Sequence, residues 1–326
     1  MNRKIILSSR PNGAPTTENF QLIEEQPPRL NKGEVLCKTI YLSLDPYMRG
    51  RMNDSKSYAK PVSIGDVMEA GAVSQVLESQ SDDFTAGDFV EGRTGWQHMA
   101  SIDAKKLRKL NPQIAPISTA IGILGMPGTT AFTGMQNIAK PKPEETLVVA
   151  AASGAVGSAV GQIGKIHGCN VIGIAGSQQK CSYVTGTLGF DSCIDYHDIN
   201  FEEKIKLACP NGIDIYWENV GGKIFDTILP LLNDFARIPV CGLISMYNQT
   251  GFLTEPDKLA PLFRSILTKR LSIQGFIVFD FEKQKDEAIE NMTAWVNNGK
   301  IKYKEDFIDG LENSPKAFIG LLDGKN

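Results

Sequence analysis

At roughly 100–200 residues per domain, a chain of 326 residues predicts two domains. Hydrophobic residues make up 42% and charged residues 22%, enough for two ordinary cores and too apolar for a disordered chain. Thirty-four basic against thirty-seven acidic side chains leave −3, which gives no reason to expect nucleic acid or an anionic membrane as partner.

The first residues, Met1-Asn2-Arg3-Lys4-Ile5-Ile6-Leu7-Ser8, offer three consecutive apolar residues, short of the ~7–15 of a secretory signal. From there to about Gly125, short β-type runs alternate with turns. The runs are Glu34–Ile40, Gly71–Glu78 and Asp88–Gly92; the turns include Pro27-Pro28, Asn53-Asp54 and Asn111-Pro112. This spacing predicts a compact β-rich unit.

From Met126 the texture changes. Buried-type strands are expected at Leu147–Ala151, Val171–Ala175, Ser192–Asp195, Ile213–Trp217 and Ile238–Cys241, with a sixth over Leu271–Val278. Helices are expected between them at Gly157–His167, Gln178–Leu188, Glu202–Cys209 and Lys223–Leu231. Alternation of this kind predicts βαβ units and a doubly wound parallel sheet. Two further helices follow, Glu282–Asn297 and Ser314–Leu322, the latter with Pro315 at its first position after Ser314. The expected division is residues 1–125 with 272–326 as a discontinuous β-rich domain, and 126–271 as the α/β domain. The uncharged stretch Thr146–Gly164 is near membrane-span length, but its glycines and its Ser153, Ser158 and Gln162 read as strand, turn and helix. The chain is expected to be cytoplasmic and to engage no membrane.

The informative segment is Ala151-Ala152-Ser153-Gly154-Ala155-Val156-Gly157, which leaves a strand and opens a helix. Ala152 takes the place of the first glycine of a dinucleotide fingerprint, and Gly154 and Gly157 the other two. Gly154 lets backbone N–H groups approach a pyrophosphate, Gly157 lets the helix pack on the strand, and the helix N-terminus supplies positive partial charge. After the second strand, Ala175-Gly176-Ser177-Gln178-Gln179-Lys180 contains no acid for a ribose 2′-hydroxyl. Ser177 and Lys180 suit a 2′-phosphate instead, so NADPH is the expected cofactor.

Several familiar chemistries are missing. No tyrosine has a lysine four residues on, and no G-x-S-x-G elbow appears. The six cysteines and three histidines lack zinc-site spacing, so no metal is expected. This pattern suits hydride addition to an activated C=C bond, where one positioned hydroxyl steadies the developing enolate.

Several segments belong together: Leu42–Gly50 (Leu-Ser-Leu-Asp-Pro-Tyr-Met-Arg-Gly), Gly95-Trp96-Gln97, Gly125–Ala131, the Ala151–Gly157 turn, Ala175-Gly176-Ser177, Glu218-Asn219-Val220-Gly221-Gly222 and Cys241–Asn248. In combination they resemble the zinc-independent medium-chain dehydrogenase/reductases that reduce alkenals, alkenones and oxo-prostaglandins. Through Met48-Arg49-Gly50-Arg51-Met52, Ala236–Gly242 and Gly310–Asn313 the nearest likeness is to bacterial curcumin reductases. The resemblance spans nearly the whole chain. It implies a GroES-like β-rich catalytic domain with a Rossmann domain inserted in it, a substrate cleft between them, and a homodimer. Relatives look as though they close this domain with a last Val-rich strand, so beyond Asn326 either that strand is missing or the edge is finished differently. Cofactor contacts would fall on Gly154, Ala155, Val156, Gly157, Ser177, Lys180, Tyr196 and Asn219, with Met126, Thr130, Cys241 and Asn248 nearby. Tyr247 would be the carbonyl donor and Tyr47 its helper. Tyr58 lies on a loop that would lid the site, with Phe252–Pro256 bounding substrate size. The α-proton would come from water or the nicotinamide ribose hydroxyl. A quinone reductase on the same scaffold and a non-catalytic NADPH-binding protein are the competing readings.

Overall fold

Apolar strands that are buried on both faces need helices on both sides, and the second half of the chain has them. In the computed structural model, which describes residues 1–249 and 258–325, the strands lie in one six-stranded sheet. Its order is Ser192–Asp195, Asn170–Ala175, Thr146–Ala150, Ile213–Trp217, Leu232–Val240 and Ser272–Gly275, with every neighbouring pair parallel. This is the strand order of a doubly wound nucleotide-binding sheet, reversing between Thr146–Ala150 and Ile213–Trp217. All five side chains of Thr146–Ala150 are buried, as a central parallel strand requires.

Two strands differ from expectation. Leu232–Val240 starts six residues before the expected Ile238, because its first half carries the turn-like Asn233-Asp234 and kinks at Phe235, whose φ is 61°. The pairing register with Ile213–Trp217 jumps there. The sixth strand is only Ser272–Gly275, an edge strand with exposed side chains. A helix that the sequence pattern did not predict, Leu259–Lys269, precedes it.

Residues 123–246 and 258–304 form one compact unit; residues 1–122, 247–249 and 305–325 form the other. The sequence pattern places the return to the first domain at 272, whereas contact density keeps residues 272–304 in the second unit. The reason is local. Ser272–Gly275 pairs with Leu232–Val240, and helix Lys285–Asn297 packs on helix Met126–Gly134, bringing Trp295 to 5.9 Å from Phe132.

In the first unit, Glu34–Leu42 and Ala72–Ser79 centre a five-stranded antiparallel sheet, with Met99–Asp103, Phe89–Gly92 and Arg108–Leu110 completing it. Asn2–Leu7 pairs antiparallel with Phe20–Glu25. Beneath them Phe20 stacks on Trp96 at 5.5 Å, and Phe318 of helix Ser314–Leu322 meets both rings edge-on. Burying such aromatic rings accounts for how the chain's last helix returns to the first unit. Ser314 is already helical and buried, so Asn313 caps that helix and Pro315 takes the second position rather than the first. Among the described residues no helix is long and apolar enough to cross a membrane. The expected size-limiting loop Phe252–Pro256 lies outside the described residues.

Candidate active site

Five strand ends of the parallel sheet carry all of the expected cofactor residues but Met126, Thr130 and Asn248. Strand Thr146–Ala150 passes into a tight turn in which Ala151 adopts the left-handed φ of 52°, and Gly154 donates its N–H back to the Ala151 carbonyl at 3.0 Å. Helix Ala155–Ile166 then begins at Gly154 without a side-chain cap. Gly157 faces that turn so closely that a Cβ there would lie 2.2 Å from the Ala151 carbonyl oxygen. The result is a short turn of small residues leading to the uncapped first N–H groups of a twelve-residue helix, a shape that suits a diphosphate.

At the next strand end, Ser177 caps helix Gln178–Gly186, accepting the Lys180 backbone N–H at 3.2 Å. Ser177 and Lys180 are thus one helical turn apart. Tyr196 follows strand Ser192–Asp195, 38% exposed, its ring against Gly176 and 4.1 Å from the His197 ring. Asn219 follows Ile213–Trp217. Its amide donates to the Ala150 carbonyl at 2.8 Å and its oxygen accepts from Trp217 Nε1 at 3.2 Å, which bridges the two strands at which the sheet order reverses. Cys241 ends Leu232–Val240, its N–H donating to the Glu218 carbonyl at 2.9 Å. Met126 and Thr130 sit on helix Met126–Gly134, where the Thr130 hydroxyl donates to the Met126 carbonyl at 2.7 Å.

Glu218 is a residue to which the sequence reading assigned no role. It is buried, and its Oε1 accepts the N–H groups of Val220 and Gly221 at 2.6 and 2.8 Å, which shapes the loop that presents Asn219. Burial pushes its carboxyl upward against those bonds. The motif Glu218-Asn219-Val220-Gly221-Gly222 held that signal, since an acid before a glycine pair can accept the exposed N–H groups of the turn.

The three candidate tyrosines belong to the first unit. Tyr47 opens the short helix Tyr47–Arg51, and burial together with the nearby Asp45 carboxylate raises its pKa, so it remains a protonated donor. The Tyr58 ring covers the Arg51 guanidinium at 4.4 Å, and the same cation lies 5.6 Å from the Tyr47 ring. Arg51 is itself fixed by Glu69 at 2.7 Å. Tyr47 and Tyr58 therefore flank one buried cation, an arrangement that sequence separation conceals. Tyr247 is half-buried, and its neighbour Asn248 accepts a hydrogen bond from Arg49 Nε at 3.1 Å.

Asp45 gives this region a pH signature. Burial raises its carboxyl from 3.8 to about 6, although the Ser43 hydroxyl donates to it at 2.6 Å and Arg93 lies near. The folded chain holds this proton more tightly than the unfolded chain, so the stabilisation is complete below the unfolded value and is lost as pH rises through about 6. Asp45→Asn should therefore be more stable than the parent at neutral pH by up to about 3 kcal/mol, and show no gain near pH 4. Urea unfolding at the two pH values checks this; a difference independent of pH would refute it.

The cysteines are all free thiols. Burial pushes Cys37 and Cys169 up to about 11 and Cys209 and Cys241 up to about 12, so none of these four is a ready thiolate. Among the described residues no group of three His, Cys, Asp or Glu could hold a metal ion.

Residues 3–110 match the family model described as the N-terminal domain of oxidoreductase, and residues 155–297 the one described as zinc-binding dehydrogenase. The chain is 52% identical over 326 residues to the NADPH-dependent curcumin reductase of Escherichia coli K12, covering all of this chain and 94% of that one. It is 39% identical to the NADP(+)-dependent 2-alkenal reductase of Nicotiana tabacum, covering all of this chain and 95% of that one. The crystal structure of CurA from Vibrio vulnificus in complex with NADPH is 53% identical, with a TM-score of 0.96 over 99% of this chain and 96% of that one. A doubly wound parallel sheet in one unit and an antiparallel sheet in the other, with these relatives, define an oxidoreductase. The chain belongs to the medium-chain dehydrogenase/reductase family, among relatives that include curcumin and alkenal reductases.

Proposed function

We propose that this enzyme reduces the C=C bond of α,β-unsaturated aldehydes and ketones with NADPH. The observation that carries this reading is the 52% identity, over the whole chain, with an NADPH-dependent curcumin reductase. The arrangement of residues supports it.

NADPH, when bound, supplies a hydride. The N–H groups of Ala155, Val156 and Gly157, beside Gly154, face its diphosphate, as a turn of small residues allows. Lys180 and Ser177 take the 2′-phosphate, in place of the carboxylate that would favour NADH. Tyr196, Asn219, Met126, Thr130, Cys241 and Asn248 complete the cofactor surroundings. Tyr247 donates a hydrogen bond to the substrate carbonyl oxygen, with Tyr47 as second donor. As Cβ is reduced, negative charge gathers on that oxygen, and a hydroxyl already aimed at it stabilises the charge without reorganisation. The enolate then takes up a proton at its α-carbon. Tyr58, anchored over Arg51, closes over the substrate. The same reading makes the enzyme a cytoplasmic homodimer.

The test is NADPH consumption, followed by loss of absorbance, across acrolein, cinnamaldehyde, benzylideneacetone, curcumin and benzoquinone, each repeated with NADH. Saturated carbonyl products from the enals and enones, with NADPH strongly preferred, are expected. Turnover of benzoquinone alone, or NADPH binding without consumption, would overturn the reading.

A further inference from the structure

Arg49 is fully buried, and its guanidinium spends its donors on three neutral oxygens from three separate parts of the first unit. Nη1 donates to Asn53 Oδ1 at 2.6 Å, Nη2 to the Gly13 carbonyl at 2.7 Å, and Nε to Asn248 Oδ1 at 3.1 Å. Taking a cation out of water is costly, and neutral acceptors offset that cost less fully than a carboxylate does. A core held only for stability would be served as well by an apolar side chain of similar volume.

What the arrangement does achieve is registration. Arg49 lies two residues after Tyr47 on the helix Tyr47–Arg51, and Asn248 directly follows Tyr247. The planar guanidinium thus joins the helix bearing one candidate hydroxyl to the segment bearing the other. The Gly13 loop seals the joint: a Cβ on Gly13 would already lie 3.9 Å from the Asn248 carbonyl oxygen. From this we infer that Arg49 is a positioning residue, fixing the Tyr247-Asn248 segment against Tyr47 so that both hydroxyls meet one carbonyl oxygen. The inference rests on the enone-reduction reading and its assignment of Tyr247. Lysine keeps the charge but gathers its donors on one nitrogen, which cannot span three acceptors set around a fork.

The test is a double-mutant cycle with benzylideneacetone at saturating NADPH. Arg49→Lys should lower kcat at least about tenfold, because small misplacements of a catalytic group are costly, while the Kd for NADPH stays within about twofold. Once Tyr247 has lost its hydroxyl there is nothing left to aim, so Arg49→Lys added to Tyr247→Phe should cost less than about threefold more. If Tyr247→Phe is slow but the Arg49→Lys penalty persists in full beside it, the positioning role is overturned and the enone reading stands. If Tyr247→Phe turns over like the parent, the Tyr247 assignment fails and the inference falls with it. Should Arg49→Lys not yield folded protein, Asn53→Ala removes the Nη1 acceptor without touching a proposed cofactor residue and carries the cycle, with the same two outcomes deciding it.

Discussion

Tyr247→Phe is expected to lower kcat for benzylideneacetone by about 10²–10³, with little change in NADPH affinity. The substitution removes one oxygen and leaves the ring, so packing around residue 247 is kept while the proposed donor to the enolate is lost. The effect should fall on kcat and kcat/KM together, because the hydrogen bond strengthens as charge develops rather than on binding. Tyr47→Phe is the comparison. Its hydroxyl is kept protonated by burial and by the Asp45 carboxylate, so it too can donate, but as second donor it should matter less. Steady-state kinetics with single-turnover NADPH oxidation separates the two. Equal, small losses for both tyrosines would move the donor role elsewhere.

The chain's local patterns disclosed the second unit more fully than the first. Ser192–Asp195 and Ile213–Trp217 are bounded by polar turns, and their ends were readable without a structure. The first half of Leu232–Val240 was not, because Asn233-Asp234 resembles a turn and the strand bends at Phe235. The grouping of the proposed cofactor residues was legible for a topological reason. Gly154, Ser177, Tyr196, Asn219 and Cys241 each follow a parallel strand, so finding the strands places them together at the carboxyl ends of the sheet. The environment of the tyrosines was not legible. Arg49 meets Asn248 across 199 positions and Gly13 across 36, and such long-range bonds leave no periodic trace. The pairing of Tyr47 and Tyr58 around Arg51 is hidden in the same way.

Gly157→Val should both destabilise the second unit and abolish tight NADPH binding. The atoms that a Cβ would meet are the Ala151 carbonyl oxygen at 2.2 Å, its carbon at 2.9 Å and Ala152 Cα at 3.1 Å, all backbone. No side chain can swing aside. Either helix Ala155–Ile166 lifts from the turn or the turn opens, and Ala151, already at a φ of 52°, has little freedom to absorb the change. Overpacking of this kind costs about 1–3 kcal/mol or more, and a branched Cβ in the first turn of a helix adds to it. Cofactor affinity should fall further than stability, because lifting the helix would withdraw the N–H donors from the proposed diphosphate site. Gly154→Ala, whose Cβ would meet only the Ala151 oxygen at 3.2 Å, should be milder in both respects. Gly186→Ala is the control: it ends helix Gln178–Gly186 with nothing within 4 Å of the added carbon, so stability should hold or rise slightly. Thermal unfolding and fluorescence titration with NADPH give the ranking. A Gly157→Val enzyme that binds NADPH as tightly as the parent would place the diphosphate away from this turn.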